Sequence, residues 1–216
     1  MRKEFVWRWT FFIGGVLLMS LGISMTIKGQ RFGISPWDVL HVGLYKHLGL
    51  SIGIWAILTG IIIVAATMIG TKRWPQLGTW LNILFIGCFI DVFNWMLPDF
   101  TSFAGQLIIF LLGLIVMAVG LGVYVSPNVG AGPRDSLMLL IVRKMGWSIK
   151  TVRTGIEVIV ALVGWLLGGP VGIGTVIIAL LLGQIVHYTL PMSQKILWNI
   201  SGYSQPFTKL SAEDQK

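Results

Sequence analysis

Long apolar stretches separated by short polar connections run along almost the whole chain. Most of them approach the roughly 20 residues that a helix needs to cross a bilayer. Six candidate spans lie at about 9–27, 53–69, 78–97, 105–125, 154–167 and 171–190. The fifth ends at Gly168-Gly169-Pro170, which predicts a tight hairpin between spans five and six. The pattern therefore predicts an all-α membrane protein with about six transmembrane helices.

The second half of the chain repeats the first at a nearly constant spacing. The matches fall 98, 97 and 96 positions apart as the comparison moves along the chain. They pair Phe12, Gly15, Met19 and Gly22 with Phe110, Gly113, Met117 and Gly120, then Gly33, Pro36 and Asp38 with Gly130, Pro133 and Asp135, then Gly78, Thr79 and Gly87 with Gly174, Thr175 and Gly183. Each half holds three spans, and an odd number makes the second half enter the membrane from the opposite side. We therefore expect two inverted three-helix repeats, an architecture that recurs in secondary transporters.

The repeat also sets the expected organisation of the chain. Residues 1–8 form an N-terminal tail, 9–104 the first repeat, 105–191 the second repeat and 192–216 a C-terminal tail. Small residues line span one (Gly15, Ser20, Gly22 and Ser24) and span four (Gly113, Ala118, Gly120 and Gly122) at matching places. Because small residues let membrane helices approach closely, we expect spans one and four to meet at the axis between the repeats. A dimer contact through the same face is the alternative.

A G-x-x-P-x-D element follows spans one and four. It reads Gly33-Ile34-Ser35-Pro36-Trp37-Asp38 in the first half and Gly130-Ala131-Gly132-Pro133-Arg134-Asp135 in the second. We expect each element to begin a helix, with Ser35 or Gly132 as the N-cap and the proline at the first helical position, where a missing N–H costs nothing. The aspartate two positions later would accept free backbone N–H groups and face the positive end of the helix dipole.

The helix after each element is too short to cross the bilayer, since 10–13 residues span only roughly 15–20 Å. Each helix therefore either lies along the membrane interface or re-enters the membrane with its N-terminus near the midplane. In the second case its irregular backbone must be buried or line a cavity. The sequence leaves both placements open.

The duplicated aspartates are the main candidate functional residues. A helix N-terminus normally attracts anions, but Asp38 and Asp135 already occupy that position. The pair therefore argues against a simple anionic substrate and fits proton coupling or a cationic or polar solute better, with pure helix capping as the alternative. The two elements differ at Trp37 and Arg134. Arg134 could pair with Asp135, whereas Asp38 has no adjacent partner.

Two strings within these elements resemble the signatures of a known family. They are GISPWDVLH, from Gly33 to His41, and GAGPRDSLM, from Gly130 to Met138. Both resemble the YczE/YitT-type bacterial integral membrane proteins, and the resemblance covers about residues 11–190. It implies a multi-pass protein of the bacterial cytoplasmic membrane and carries over neither a substrate nor catalytic residues.

Three further ionisable residues lie inside predicted spans, where a charge is costly and usually faces protein or water. Asp91 in span three is a candidate for a solute pathway or proton relay, with an inter-helix hydrogen bond as the alternative. His187 in span six is expected to be a packing histidine near the cytoplasmic interface, with a pathway role as the alternative. Glu157 in span five can pair with Arg153 one turn earlier.

Composition and charge agree with the pattern of spans. The chain of 216 residues is 55% hydrophobic and 11% charged, whereas soluble domains carry about 25% charged residues, so a soluble fold is excluded. With the N-terminus inside, only Lys28, Arg31 and Lys46 among the 16 basic residues fall outside. This bias predicts cytoplasmic N- and C-termini and accounts for the net charge of +8 without a nucleic-acid partner. The single cysteine, Cys88, is expected to be a packed apolar thiol.

Enzyme signatures are absent from the sequence, which has no G-x-S-x-G elbow, phosphate-binding loop or H-E-x-x-H motif. We expect no catalytic residues, no cofactor and no metal site. The leading hypothesis is a small-solute transporter or permeation protein. In this hypothesis Asp38, Asp135 and Asp91 contact the solute or the coupling ion, and Arg134 and His187 have secondary roles.

Two other functions fit the same sequence. A membrane scaffold or regulator without transport would dock a partner or anionic lipid through the basic segment 143–153. A substrate-capture subunit of a multi-component importer would also be a small protein with about six spans. In each case the chain contacts the lipid bilayer, and a homodimer is possible.

Overall fold

The chain folds into a bundle of α-helices. The computed structural model describes residues 2–130 and 132–202, and its secondary structure there is helical. The helices are α1 (Arg2–Lys28), α2 (Pro36–Leu48), α3 (Ile52–Thr71), α4 (Leu77–Met96), α5 (Phe103–Val125), α6 (Pro133–Met145), α7 (Ile149–Leu166) and α8 (Ile173–Ser201), with a 3₁₀ turn (Gln30–Phe32) after α1. The all-α prediction is confirmed. Helix α8 passes through Pro191 and extends beyond the predicted end of span six, and most of the predicted C-terminal tail lies outside the described residues.

Five of these helices are long and apolar enough to cross a membrane, namely α1, α3, α4, α5 and α8. They correspond to five of the six predicted spans. The fifth predicted span becomes α7, which has 18 residues and carries Lys150, Arg153 and Glu157 in its first half. These charges set α7 apart from the other five by composition, so a sixth span of the same kind is not confirmed.

Helices α1 and α5 form the centre of the bundle and pack along most of their length. A methyl group at Gly22 would overlap the backbone of Met117, and one at Gly120 would overlap the backbone of Met19. The prediction that spans one and four meet is therefore confirmed. Because the small-residue face is covered within one chain, the alternative of a dimer contact through that face is wrong.

The remaining helices pack around this pair. Helix α4 lies on α1, where Ser24 Oγ donates to the Ile90 carbonyl at 3.2 Å, and α8 lies on α5, where Thr189 Oγ1 donates to the Ala118 carbonyl at 3.3 Å. Helix α3 packs on α4 and on α6, and α7 packs on α2. Part of the predicted small-residue stripe therefore faces α4 and α8 rather than the central pair.

The predicted hairpin between spans five and six is wrong. Helices α7 and α8 are joined by a short connection but make few contacts with each other. The reason is that the small-residue side of α7 is used by α2. A methyl group at Gly164 would overlap the backbone of Leu40, and one at Gly43 would lie 2.6 Å from the Gly164 carbonyl oxygen. Helices α3 and α4, by contrast, pack closely.

The outer surface of the bundle is apolar, as a lipid-facing surface must be. Ile62, Ile69, Leu162 and Leu180 are each more than half exposed there. Cys88 is also exposed. The expectation that its thiol is packed is therefore wrong, because the neighbouring Gly87, not Cys88, faces α3.

Candidate functional site

Both G-x-x-P-x-D elements open onto one cavity inside the bundle, here called the central cavity. It has a volume of about 130 Å³ and is lined by Pro36 and Pro133 together. Helices α2 to α8, together with α1 through Met19, contribute residues to its wall. Its polar lining residues are Ser35, Thr59, Asn82, Tyr124, Arg134, Asp135, Arg153 and Glu157.

The first element begins α2, and its residues Ser35 and Pro36 line the central cavity. Gly33 has φ +90°, which favours glycine, and Ser35 and Pro36 occupy the predicted N-cap and first helical positions. Asp38 is fully buried, yet neither of its carboxylate oxygens has a hydrogen-bond partner within the described residues. The prediction that this carboxylate accepts backbone N–H groups is therefore wrong.

Asp38 has a neighbour that the sequence did not suggest. His41 lies one turn further along α2, and its Nδ1 is 3.6 Å from Asp38 Oδ1. The other ring nitrogen of His41, Nε2, is hydrogen-bonded to Thr59 Oγ1 on α3 at 2.9 Å. This contact fixes the ring between α2 and α3. Asp38 has no partner at the adjacent position, but the helical spacing of three residues brings the histidine next to it.

We expect Asp38→Asn to keep or raise the stability of the protein. The substitution removes a buried carboxylate without hydrogen bonds, and this gain should outweigh the lost attraction to His41 and Arg134, so that stability rises by up to about 2 kcal/mol, whereas removing a true helix cap would cost about 1 kcal/mol. Thermal unfolding of the purified protein in detergent measures the difference. Asp99→Asn is the matched control, since Asp99 is exposed and pairs with Lys28. A clear destabilisation by Asp38→Asn alone would contradict the assignment.

The second element begins α6 on the opposite wall of the central cavity, with Gly132 as N-cap and Pro133 as the first helical residue. The Arg134 guanidinium lies over the Trp37 ring, 4.9 Å from its centroid, so the two elements touch. Within the described ranges, neither Arg134 nor Asp135 has a salt bridge or hydrogen bond through its side chain. The predicted Arg134–Asp135 pair is therefore wrong, because adjacent helix positions point about 100° apart.

Two polar residues of the site were missed at the sequence level. Asn82 on α4 is 2% exposed, and its Nδ2 has no hydrogen-bond partner in the part of the chain that the structure describes. Tyr124 lies at the end of α5 and is also buried. A methyl group on Gly132 would lie 3.0 Å from Tyr124 Oη, 3.5 Å from Asp135 Oδ2 and 4.0 Å from Asn82 Oδ1. Three polar groups thus converge on the backbone of Gly132.

A paired set of charges completes the lining. Arg153 Nε donates to Glu157 Oε1 at 3.1 Å, which confirms the predicted local salt bridge. Both residues line the central cavity together with Arg134 and Asp135. The cavity lining therefore carries two cationic and two anionic side chains, and one pair of them is already matched by a salt bridge.

Asp91 lies away from the central cavity. Ser51 Oγ donates to its Oδ2, and the Gly53 backbone nitrogen donates to its Oδ1 at 2.8 Å. The carboxylate thus hydrogen-bonds α4 to the N-cap and first turn of α3. This agrees with the alternative prediction for Asp91, an inter-helix hydrogen bond. Asp91 also lines a second, larger cavity of about 590 Å³, here called the vestibule, together with Lys28, Asn94 and Asp99.

Residues of α3 and α4 line both cavities, and Gly53 and Gly87 lie between the two sets of lining residues along these helices; this segment is here called the wall. In this wall α3 and α4 approach each other through Gly53 and Gly87. A methyl group at Gly53 would overlap the Gly87 carbonyl, and one at Gly87 would lie 2.5 Å from the Gly53 carbonyl oxygen. The repeat counterpart of Gly87 is Gly183 on α8, where a methyl group would meet open space.

His187 lies outside both cavities. Its side chain is exposed and contacts the neighbouring Tyr188 ring, with 5.4 Å between the ring centroids. The expectation of a packing histidine is wrong, because this side of α8 has no helix packed against it among the described elements. The structure therefore brings Arg134 and Asp135 together beside Asp38, and leaves Asp91 and His187 elsewhere.

Comparisons with known proteins match nearly the whole chain. Residues 6–191 match the model of a family described as "Family of unknown function (DUF6198)". The chain is 46% identical over 197 residues to a protein of Bacillus subtilis (strain 168) described as "Uncharacterized membrane protein YczE", covering 91% of this chain and 92% of that protein. It is 31% identical to YyaS of the same organism, covering 84% of this chain and 91% of that protein. An uncharacterized protein of Haemophilus influenzae (strain ATCC 51907 / DSM 11121 / KW20 / Rd) is 36% identical, with 81% of this chain and 82% of that protein covered. No solved structure matches.

Proposed function

The chain belongs to the DUF6198 family, and from this premise we propose that it is a small-solute transporter of the bacterial cytoplasmic membrane. One observation carries the proposal. A cavity inside an apolar bundle is lined by Asn82, Tyr124, Arg134 and Asp135, and Asn82 Nδ2 is buried without a hydrogen-bond partner within residues 2–130 and 132–202. Unpartnered polar groups inside a membrane bundle are costly and mark solute pathways.

The proposal includes two inverted repeats, and reciprocal contacts support them. A twofold relation between the halves requires that each contact between them occurs twice with the partners exchanged. Gly22 approaches Met117 while Gly120 approaches Met19, in agreement with the offset of 98. Further reciprocal pairs are Gly33 with Thr175 and Gly130 with Thr79, and Gly43 with Leu167 and Gly70 with Leu140. In this arrangement α2 and α6 re-enter the membrane from opposite sides.

The proposed orientation places the N- and C-termini in the cytoplasm. The side chain of Arg8 near the N-terminus donates to the carbonyl oxygens of Pro127 and Asn128 at 3.0 and 3.1 Å. This contact supports placing the start of α1 and the α5–α6 connection on the same side. Basic residues are concentrated there, as expected of a cytoplasmic face. The vestibule, beside Lys28 and Asp99, then opens to the outside.

A scaffold or regulator has no need of such a cavity. Docking through segment 143–153 would use the exposed end of α6 and the start of α7, and would leave the unpartnered groups around Gly132 without a purpose. A capture subunit would use a binding site of the same kind but would not move solute by itself. Transport by the isolated protein therefore separates our proposal from both alternatives.

We expect the protein, reconstituted alone in liposomes, to take up a solute from a radiolabelled panel of small amino acids, amines, carboxylates and polyols. Arg134→Gln should reduce that flux at least about tenfold, because it removes a charged hydrogen-bond donor from the cavity. Lys144→Gln is the matched control, since Lys144 is exposed at the far end of α6. The proposal fails if no member of the panel and no protons cross the membrane.

A further inference from the structure

The unpartnered groups of the central cavity include one cation and one anion. From this we infer that its ligand is a small zwitterion, such as an α-amino acid, with its carboxylate at Arg134 and its ammonium group at Asp135. This inference rests on the proposed function and names the substrate class of the same site. Four observations support it: the free guanidinium, the free carboxylate, the balance of charge, and the size of the cavity.

Arg134 is placed to receive a carboxylate. Its guanidinium carbon lies 4.9 Å from the centroid of the Trp37 ring, and this contact holds the group at the cavity lining. None of its N–H donors has a hydrogen bond to a described residue. A planar fork of donors fits a carboxylate with two parallel hydrogen bonds. Asn82 Nδ2 is a further donor without a partner in the same cavity.

Asp135 is placed to receive an ammonium group. Its carboxylate lines the central cavity and forms no salt bridge among the described residues, although Arg153, which is bound to Glu157, attracts it. Its Oδ2 lies near the Gly132 backbone, close to the Tyr124 hydroxyl. An ammonium group carries three donors and needs several acceptors arranged around it. The Asp135 carboxylate and the Tyr124 oxygen provide such acceptors on one side of the cavity.

The balance of charge excludes simpler ligands. Among the charges of the lining, Arg153 and Glu157 neutralise each other through their salt bridge, and Arg134 and Asp135 remain, while Asp38, which is buried outside the lining, attracts Arg134. A purely anionic ligand would satisfy Arg134 and leave Asp135 unpaired beside a new negative charge. A purely cationic ligand would satisfy Asp135 and leave Arg134 unpaired beside a new positive charge. A ligand that carries both charges pairs with both side chains and therefore fits this lining best.

The size of the cavity limits the ligand to a small molecule. A volume of about 130 Å³ corresponds to roughly ten water-sized probes, since one water needs about 10–15 Å³ by this measure. That space holds an amino acid with a short side chain. The apolar part of the lining, which includes Ile83, Ile86 and Ile178, offers a surface for an aliphatic side chain.

The test is a binding measurement on the purified full-length protein in detergent, by calorimetry and by thermal shift. The probes are glycine, alanine and serine, together with propionate, which lacks the ammonium group, and ethylamine, which lacks the carboxylate. We expect at least one amino acid to bind and to raise the unfolding temperature. Propionate and ethylamine should bind at least about tenfold more weakly, because each loses one charged contact.

Two variants assign the two ends of the ligand. Asp135→Asn should lower amino-acid affinity and abolish its advantage over propionate, whereas Arg134→Gln should abolish its advantage over ethylamine. Lys144→Gln should change neither ratio. Asp135→Asn should still bind propionate and Arg134→Gln should still bind ethylamine, and a general loss of folding, which removes all binding, cannot imitate this result.

The outcomes separate this inference from the proposed function. If liposomes transport a polyol or a simple ion while no amino acid binds, the zwitterion is wrong and transport stands. If an amino acid binds with the expected ratios but does not cross the membrane, the ligand class stands and transport by the isolated protein is wrong. Equal binding of alanine and propionate overturns the role of Asp135.

Discussion

Gly22→Ala and Gly120→Ala are each expected to destabilise the protein by about 3 kcal/mol or more. In both positions the added methyl group would overlap backbone atoms of the facing helix, at Met117 or at Met19. A clash with the end of a flexible side chain can relax, but a clash with backbone requires α1 and α5 to move apart. Since these two helices form the centre of the bundle, separating them also disturbs the packing of α4 and α8.

Gly14→Ala is the matched control for this prediction. Gly14 directly precedes Gly15 on α1, and a methyl group at Gly14 would meet open space. Because alanine has the higher helix propensity, we expect this change to be neutral or to stabilise by up to about 1 kcal/mol. Thermal unfolding in detergent, followed by the size-exclusion profile, measures all three variants. Similar unfolding temperatures for Gly14→Ala and Gly22→Ala would contradict the observed packing.

Gly87→Val is expected to open the wall between the vestibule and the central cavity. The larger side chain would overlap Ile57 and the Gly53 carbonyl, so α3 must move away from α4. The Asp91 carboxylate, which holds the first turn of α3, would then lose its contacts with Ser51 and Gly53. A solute or reagent on the vestibule side should reach the central cavity directly.

Thiol labelling measures this opening. A cysteine at Met138, a lining residue of the central cavity, is introduced after Cys88→Ser removes the native thiol. In intact cells, a membrane-impermeant maleimide should label this cysteine at least about tenfold faster in Gly87→Val, since a steric cost of a few kcal/mol shifts the closed state by that factor or more. Gly183→Val is the control, because a side chain added at position 183 would meet open space. Unchanged labelling in a correctly folded Gly87→Val protein would show that the wall does not limit access.

Much of the fold followed from local features of the sequence. Apolar length predicted six spans, five of which are helices long and apolar enough to cross a membrane, and the small residues that include Gly15, Gly22, Gly113 and Gly120 predicted the central pair. Pro36 and Pro133 marked the starts of the two short helices to the residue. These features succeed because helix length, close approach and helix initiation each depend on residues that are near one another in the chain.

The polar site followed only in part, because it depends on contacts between distant elements. Asp135 and Arg134 were identified from the duplicated element, but the contact of the Arg134 guanidinium with Trp37 joins two distant elements and could not be predicted. Nothing in the apolar segment around Asn82 distinguished it from a lipid-facing or packing residue. Asp91 and His187 stood out as charges in apolar spans, yet one fastens two helices and the other is exposed.

The contact between Arg134 and Trp37 has a consequence for the history of the chain. The two residues occupy the same position of the duplicated element, 97 residues apart. If equivalent positions of the two halves are in contact and hold the same residue type, that residue contacts its own copy. Two arginines there would repel each other, and two tryptophans would fill much of the cavity. If the site arose by gene duplication, the two copies therefore had to acquire different residues at this position. The change determined that the second half supplies the guanidinium and the first half supplies the aromatic ring that contacts it.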